Sequence, residues 1–425
     1  MMTNTATPPL LRTWRRWVAF DHCRLLLPQF TFATRADALA RLHLLSLDEQ
    51  AVEPARPGGL VRFGARLWFG AVALRQVAIF FLRYSRYVEA EDGVSRWQQL
   101  GDLWHCVWRQ NRYARHYYWR KLYLVPFRPL WLENLEHRQL VTLLRRLNRH
   151  LPIDEITHKY HFHLCCRRHG LPTPEVLGAW DESGCVLRTT TEPLQADLFL
   201  KPASEFGSSG TEPVLWLPQT GRHRLDGKEL AWPELLDALS ERARAQRRAF
   251  VLQPRLRNAP RNAVYGDHDL CNLRIVTGIA PGGAPEALGA FLRLPSRMTT
   301  TGYDRTILFA PVDLVTGRLG VGRFREITHG EHRVHPDTKA SISGRLLPGW
   351  SEMLDLALCA HARIPWMPFV GWDIVDTPQG VMLLEANAYW GGDALQPPGG
   401  MTLGETRFPE LYLAWFERFH GPVCA

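Results

Sequence analysis

Lysine is scarce in this chain, with five lysines among the 51 Lys and Arg residues of its 425 positions. A lysine that lies in a candidate binding site is therefore less easily explained by chance. No two of the eight cysteines are spaced as Cys-x-x-Cys, which argues against a zinc knuckle, and a chain of this length needs no disulfide staples. Reduced thiols and a cytoplasmic location are therefore expected.

The chain also lacks a long hydrophobic run. Its most apolar stretch, residues 67–82, is interrupted by Arg75 and Gln76 and is shorter than the ~20 residues that span a bilayer. Residues 1–20 contain no clean apolar core with a cleavage site, so no signal peptide is predicted. With 46% hydrophobic and 22% charged residues, the composition indicates a globular protein of two or three domains.

Positive charge is concentrated at the N-terminal end. Residues 1–150 hold 23 basic and 11 acidic side chains, a net charge of +12, whereas residues 151–425 hold 28 and 31. Leu and Trp recur there at helical spacing, and between residues 95 and 122 Trp and Tyr alternate with Arg. Such a stripe fits helix packing, or docking at an anionic surface such as the inner face of the membrane. Nucleic acid is the least favoured interpretation.

From residue 151 onward short strands alternate with helices, which predicts an α+β fold. Helices are expected over residues 155–169, with Gly170 as the C-terminal cap, and over 350–363. The predicted strands span residues 176–180, 185–188, 197–202, 250–256, 273–279, 287–294, 369–376 and 381–388, and the last two form a hairpin. We therefore divide the chain into a mainly helical region (1–150), an α+β domain (151–415) and a C-terminal tail (416–425).

The hairpin carries the strongest candidate site. Strand residues two apart lie on one face, so Glu385 and Asn387 point the same way and Asp373 can face them across the turn. Carboxylates among apolar neighbours are costly unless something compensates them. A Mg²⁺ ion that carries a nucleotide's phosphates would do so. The alternative is a polar edge that faces solvent.

A second candidate site follows an apolar strand. LFLKP ends at Lys201, and a loop with Gly207, Ser208, Ser209 and Gly210 follows. Glycines let backbone amides close over phosphates, and the lysine adds a point charge. No Gly-Lys-Ser/Thr follows, so this is not a Walker loop, and by itself such a loop is more often a turn.

Two further strands carry polar groups. FVLQPRL runs into Gln253 and Arg255, and an extended strand of this kind can present backbone groups to an adenine and side chains to a ribose. In NLRIVT, Arg274 lies in an apolar strand, where an arginine needs an anionic partner such as phosphate or carboxylate.

Taken together, residues 151–415 resemble the ATP-grasp superfamily, and within it the sugar-transfer-associated ATP-grasp group. The matching pieces occur in that group's order: CCRRHGLPTP, LFLKP with its loop, VLQPRL, NLRIVT, HPDT, LLPGW and GWDIVDTPQGVMLLEAN with a trailing Trp390 and Gln396. The resemblance covers about 60% of the chain. It implies two α+β subdomains that grip ATP, preceded by the helical region.

The resemblance also implies roles for the candidate residues. The implied nucleotide contacts are Lys159, Lys201, Ser208, Ser209, Gly210, Gln253, Arg255 and Leu256. The implied Mg²⁺ ligands are Asp373, Glu385 and Asn387, with Glu385 bridging two ions. The implied catalytic residues are Arg274, at the phosphate or acyl phosphate, and Lys201. The sequence departs from the group at Gln253, where many members carry glutamate, at Cys271 and at Lys339.

The activity implied by the resemblance is that of an ATP- and Mg²⁺-dependent ligase. A carboxylate, on a small molecule or a glycan, would be activated as an acyl phosphate and joined to an amine, in polysaccharide or surface-glycan modification. The alternatives are a phosphotransferase that passes phosphate to a hydroxyl, and a non-catalytic nucleotide-binding protein at the membrane surface. Two His-rich segments, residues 158–169 and 329–337, look like metal sites, but the resemblance does not favour zinc there.

Overall fold

The structure is a computed structural model. It describes residues 38–47, 59–109, 112–124, 133–188, 194–204, 210–266, 270–297, 307–398 and 400–421. The chain divides into two compact units. The first is drawn from residues 1–149, 326–330 and 391–425, and the second from residues 150–325 and 331–390. The division at residues 150 and 415 expected from the sequence stays a prediction.

Ten α-helices are found in the described part of the chain. In chain order they are α1 (Ala38–Leu47), α2 (Gly59–Asp92), α3 (Arg96–Trp104), α4 (Ala114–Trp119), α5 (His137–Asn148), α6 (Asp154–Thr157), α7 (Lys159–Arg168), α8 (Trp232–Gln246), α9 (Trp350–Ala362) and α10 (Phe408–His420). A π-helical turn, His105–Arg109, follows α3, and 3₁₀ turns span Pro260–Tyr265 and Ile327–His329. None of the helices in the described ranges is long and apolar enough to cross a membrane.

Fourteen strands are found in the same ranges. They are β1 (Gly178–Asp181), β2 (Gly184–Arg188), β3 (Leu198–Pro202), β4 (Glu212–Leu217), β5 (Arg222–Leu225), β6 (Lys228–Leu230), β7 (Phe250–Pro254), β8 (Asn272–Ile279), β9 (Pro285–Pro295), β10 (Ile307–Val312), β11 (Gly322–Arg323), β12 (Glu331–His332), β13 (Phe369–Thr377) and β14 (Gly380–Asn387). Every strand predicted from the sequence is present, which confirms the α+β class.

The first unit is helical in its described part. Gly93, at φ +69°, turns the chain between α2 and α3, and Ser95 caps α3 by accepting a hydrogen bond from the Gln98 amide (3.2 Å). The buried Gln99 amide donates to the carbonyls of Ser85 and Val94 at 3.0 and 2.8 Å. These bonds tie α2 and α3 into a helical hairpin. The predicted helical pattern over residues 95–122 is divided between α3, the π-helical turn and α4.

The second unit contains two antiparallel seven-stranded sheets. The first has the strand order β2-β1-β7-β3-β4-β5-β6 and the second has the order β12-β11-β10-β9-β8-β13-β14. Helix α8 buries Leu235 and Leu239 in the core of the first sheet. Helix α9 buries Met353 and Ala357 in the core of the second, where Trp372 of β13 also lies. Strand β13 is buried along its whole length between β8 and β14.

The single helix predicted over residues 155–169 is wrong, because the chain breaks at His158. That residue has an extended backbone (φ −82°, ψ 116°), and its Nδ1 accepts a hydrogen bond from the His161 amide at the start of α7 (3.4 Å). The Lys159 amide donates to the Ala203 carbonyl (2.8 Å), just beyond β3, instead of to a carbonyl of α6. The N-terminus of α7 is therefore fixed to the end of β3. Gly170, at φ +65°, ends α7 as predicted.

Candidate functional site

The β13–β14 hairpin brings the three predicted metal ligands together. Asp373 and Glu385 are direct partners across the two strands, and the register shifts immediately after Asp373. The Asn387 amide donates to Glu385 Oε1 at 3.4 Å and to the Gly371 carbonyl at 3.3 Å. The arrangement that the hairpin pattern predicts is confirmed, while the role of these residues as metal ligands stays a prediction.

Asp373 is held by two arginines. Arg274 lies opposite it on β8 and donates from Nε to Oδ1 and from Nη2 to Oδ2, the latter at 2.9 Å. Arg293 of β9 donates from Nη1 to Oδ2 at 3.0 Å. Burial of Asp373, which is 1% exposed, would raise its pKa, but the two guanidinium groups outweigh burial and hold the pKa well below its usual range. The anionic partner that Arg274 needs is thus Asp373 itself.

Two lysines face the other carboxylate of the hairpin. Burial and the charge of Lys159 lower the pKa of Lys201 to about 8, although the charge of Glu385 opposes this shift. Burial, the charge of Asp373 and a hydrogen bond with Asp373 raise the pKa of Glu385, although Lys159 and Arg274 oppose that. Strand β3, the start of α7 and strand β14 therefore bring Lys201, Lys159 and Glu385 into one electrostatic cluster.

The cluster carries more positive than negative charge. Its four cations are Lys159, Lys201, Arg274 and Arg293, and its two carboxylates are Asp373 and Glu385. The lysines and Glu385 are only partly buried, whereas Asp373 and Arg274 are buried. The net charge of the cluster is positive, and its lysines are partly exposed to solvent. Such a site suits an anion such as a nucleotide polyphosphate.

The donor set also fits a hard divalent cation. Burial and the neighbouring carboxylate Asp373 raise the pKa of Glu385. An added cation would relieve the repulsion between the two carboxylates. Asp373 and Asn387 beside Glu385 supply further oxygen ligands, although Asp373 already accepts three hydrogen bonds from arginine. Nowhere in the described ranges do three or more His, Cys, Asp or Glu side chains form a metal-binding group. This site would therefore need the amide oxygen of Asn387 as its third protein ligand.

The remaining predicted contacts have different surroundings. Ser208 and Ser209 lie outside the described residues. Gly210 has φ +70°, and a Cβ there would come within 3.2 Å of the Arg248 guanidinium, so the loop re-enters β4 through a position that favours glycine.

The predicted hinge lies at the end of β7. Gln253 is buried there opposite Phe199 of β3. The Arg255 amide donates to the Asp197 carbonyl (2.9 Å), and its guanidinium reaches Asp197 Oδ2 (3.5 Å). Leu256 follows and is half-buried. The roles of these three residues in nucleotide binding stay predictions.

Arg293 is the site residue that the sequence analysis missed. It lies in FLRLP, an apolar strand interrupted by one arginine, which is the same signal that singled out Arg274 in NLRIVT. The side chain reaches Asp373 from the second strand away, because β9 pairs with β8 and β8 pairs with β13. A search of every apolar strand for a single arginine would have found Arg293.

Two antiparallel sheets that bring together the lysines of β3 and α7, the arginine of β8 and the carboxylates of β13 and β14 are the architecture of an ATP-grasp protein. The model of the family described as sugar-transfer associated ATP-grasp matches residues 138–406, and the chain belongs to that family. No curated protein matches the chain.

Several solved structures show a distant likeness. D-alanine-D-alanine ligase from Coxiella burnetii is 14% identical, over 63% of this chain and 54% of that protein, with a TM-score of 0.30. D-alanine-D-alanine ligase from Bacillus anthracis is 13% identical, over 62% and 66%, with a TM-score of 0.32. L-amino acid ligase from Bacillus licheniformis is 11% identical, over 64% and 52%, with a TM-score of 0.34. The chain thus spans about half to two thirds of these proteins.

Proposed function

We propose that this chain is an ATP- and Mg²⁺-dependent ligase that activates a carboxylate as an acyl phosphate and joins it to an amine. The observation that carries the proposal is the cluster of Lys159, Lys201 and Glu385 beside the Asp373–Arg274 pair. Lysines packed beside a carboxylate whose pKa is raised are unfavourable by themselves. Such groups are typical of a site that binds a polyanion and a cation. Membership of the ATP-grasp family supports the same conclusion.

The chain's own residues would act mainly by position and charge. Lys159 and Lys201 would neutralise negative charge on the nucleotide phosphates, and Arg274 and Arg293 hold Asp373 ionised and oriented toward Glu385. Glu385, Asn387 and Asp373 would hold Mg²⁺, which supplies Lewis-acid stabilisation of the phosphoryl oxygens when bound. The predicted hinge, Gln253 to Leu256, would receive the adenine.

The reaction proceeds in two balanced steps. A carboxylate oxygen of the substrate bonds to the γ-phosphorus of ATP while the bond from that phosphorus to the β-phosphate oxygen breaks, and ADP leaves. The amine nitrogen then bonds to the acyl carbon, the phosphate leaves with the carbon–oxygen electron pair, and the amine proton passes to solvent. The products are an amide, ADP and phosphate.

The family description is the support for a substrate in polysaccharide or surface-glycan modification. We place the reaction in the cytoplasm, where ATP is available.

An ADP-release screen of candidate acids and amines, with mass spectrometry of the product, tests the proposal. We expect ADP release that requires both Mg²⁺ and an acid–amine pair, together with an amide product. Lys201→Ala serves as the control for a contaminating ATPase. A product phosphorylated on a hydroxyl would favour the phosphotransferase alternative, and no ADP release with any pair would contradict the ligase.

A further inference from the structure

Helices α2 and α3 expose large apolar side chains to solvent. Trp97 is 84% exposed, Leu82 72% and Trp104 54%. We call the full set the Trp/Leu face, and its members are Leu74, Ile79, Leu82, Trp97, Leu100 and Trp104. Single exposed apolar residues are ordinary, but six on two adjoining helices form a patch of the kind that marks an interaction surface.

The exposed residues of both helices lie outside one shared core. Both helices pack into that core, α2 through Val77 and Tyr84 and α3 through Leu103, and the residues of the Trp/Leu face are exposed to solvent instead. The spacing is helical on both: Leu74 and Leu82 are two turns apart, and Trp97, Leu100 and Trp104 lie three, then four positions apart.

The α2–α3 hairpin is held tightly at its turn. Arg96 Nε donates to Ser85 Oγ (3.2 Å), and its guanidinium lies 5.2 Å from the centre of the Phe81 ring. These contacts fix the turn between the two helices that carry the exposed side chains.

Exposed arginines accompany the apolar side chains. Arg75, Arg83 and Arg86 lie on the exposed side of α2, where Arg83 is paired with Glu326 of the same unit. Glu89 is exposed on this helix as well, so the positive charge is that of the region as a whole, which has 23 basic and 11 acidic residues. That excess favours an occupant that is apolar in depth and negatively charged at its surface.

An anionic bilayer has both properties. Tryptophan prefers the level of the lipid headgroups, because its ring is apolar and its indole N–H can still donate to a polar partner. Leucine side chains reach the acyl boundary from there, and arginines on the flank bind lipid phosphates. A helix pair that lies in the interface needs no membrane-spanning length.

We propose that the Trp/Leu face docks this protein onto the surface of an anionic membrane, with α2 and α3 lying in the plane of the headgroups. This inference is independent of the ligase proposal, since none of its residues belongs to the nucleotide cluster. It assigns the docking to six exposed apolar side chains that have arginines beside them.

Vesicle flotation of the full chain tests it. The probes are phosphatidylcholine vesicles with and without phosphatidylglycerol. The test variant is Leu82→Ser/Trp97→Ser/Trp104→Ser, and the apolar control is Val315→Ser, whose side chain is 91% exposed in the second unit. A charge variant, Arg75→Glu/Arg86→Glu, is matched by Arg363→Glu, an exposed arginine of the second unit.

We expect the wild type to float with the anionic vesicles only, and to bind more weakly as salt rises and the Debye length falls below ~8 Å. The serine and charge variants should lose at least about tenfold in binding, while both controls bind as the wild type does. Circular dichroism of each variant checks that it is folded, and every substituted side chain is exposed.

Three results would overturn the proposal. The wild type could fail to float with anionic vesicles, the serine variant could bind as well as the wild type, or binding could be equal without phosphatidylglycerol. A concentration-dependent dimer in light scattering that the serine variant loses, without flotation of the wild type, would assign the face to a second copy of the chain instead.

Discussion

The charge of Lys201 depends strongly on its surroundings. Its ordinary pKa of 10.5 falls to about 8 because burial and the neighbouring Lys159 disfavour the ammonium, although Glu385 favours it. A phosphate group would add negative charge to that of Glu385 beside the ammonium. Nucleotide binding should therefore raise the pKa of Lys201 again.

The first prediction concerns pH. Below about 8 the Lys201 ammonium is charged and attracts phosphate, so ATP affinity should fall as pH rises through that value. Stability of the ligand-free protein should change in the opposite direction, because the unfolded state binds the proton more tightly between pH 8 and 10.5. Lys201→Arg keeps its charge and should bind ATP equally on both sides of pH 8. Titration calorimetry of ATP binding, at one pH below 8 and one pH above 8, checks this prediction. A pH-independent affinity in the wild type would contradict it.

Loss of the charge altogether should be more severe. Lys201→Ala is expected to keep its fold and lose on the order of 100-fold in ATP turnover, because charge stabilisation of the transferring phosphoryl group disappears. Steady-state ADP release measures it. Wild-type turnover in a well-folded Lys201→Ala variant would rule out the assigned role.

At the scale of elements, the β13–β14 hairpin positions the site because β13 is paired on both sides. Its neighbour β8 sets Arg274 opposite Asp373, and β14 sets Glu385 opposite the same residue. Gly371 on β13 leaves room for this packing. A Cβ there would come within 2.6 Å of Trp390 Cβ and 3.4 Å of Arg274 Cδ.

Gly371→Ala should therefore disturb the site and the core together. Overpacking of this kind costs about 1–3 kcal/mol of unfolding free energy, and displaced Arg274 should weaken ATP binding as well. Gly101→Ala makes the same chemical change on an exposed position of α3, where nothing lies within 4 Å. It should stabilise the protein by about 0.5–1 kcal/mol through helix propensity. Urea unfolding of both variants is the measurement, and equal shifts in the same direction would refute the packing argument.

Much of the element order could be predicted from pattern, and the tertiary partners could not. Alternation predicts β8 and the hairpin, and the two-residue period places Glu385 beside Asn387. The break at His158 escapes such reasoning because its cause is the bond from the Lys159 amide to the Ala203 carbonyl, far along the chain. Likewise, NLRIVT shows that Arg274 needs an anion, but the strand register alone reveals that this anion is Asp373.

At the scale of the whole molecule, the first unit combines both ends of the chain. Arg120 donates to Asp393 Oδ1 (3.0 Å) and to the Gln396 carbonyl. The Gln396 side chain accepts from the Leu135 amide (3.0 Å) and donates to the Leu135 carbonyl (2.9 Å). No local pattern announces such contacts, since their partners lie more than 250 positions apart. A fragment that begins at residue 151 would leave Asp393 without its arginine.

Arg120 should therefore matter more than an ordinary surface arginine. Burial would raise the pKa of Asp393, but its cationic neighbours, Arg120 among them, lower it to about 2. Arg120→Ala removes the ion pair of that carboxylate and should cost about 3–5 kcal/mol of unfolding free energy. Arg224→Ala, which breaks a surface pair with Glu229, should cost about 0–1 kcal/mol. Chemical denaturation compares the two, and similar small losses would show that the Arg120 contact is dispensable.

The measurement that tests the central claim most directly is calorimetric titration of Mg·ATP into the wild type and Glu385→Gln. The variant keeps the shape of the side chain and removes the carboxylate, whose pKa is raised by burial and by Asp373. Glu352→Gln, at an exposed glutamate paired with Arg261, is the matched control.

We expect Glu385→Gln to lose Mg²⁺-dependent ATP binding and turnover, while its metal-free form is at least as stable as the wild type, because the repulsion between Glu385 and Asp373 has been removed. The control should bind as the wild type does. Equal affinity and equal turnover in wild type and Glu385→Gln would show that the cluster is structural and would contradict the account.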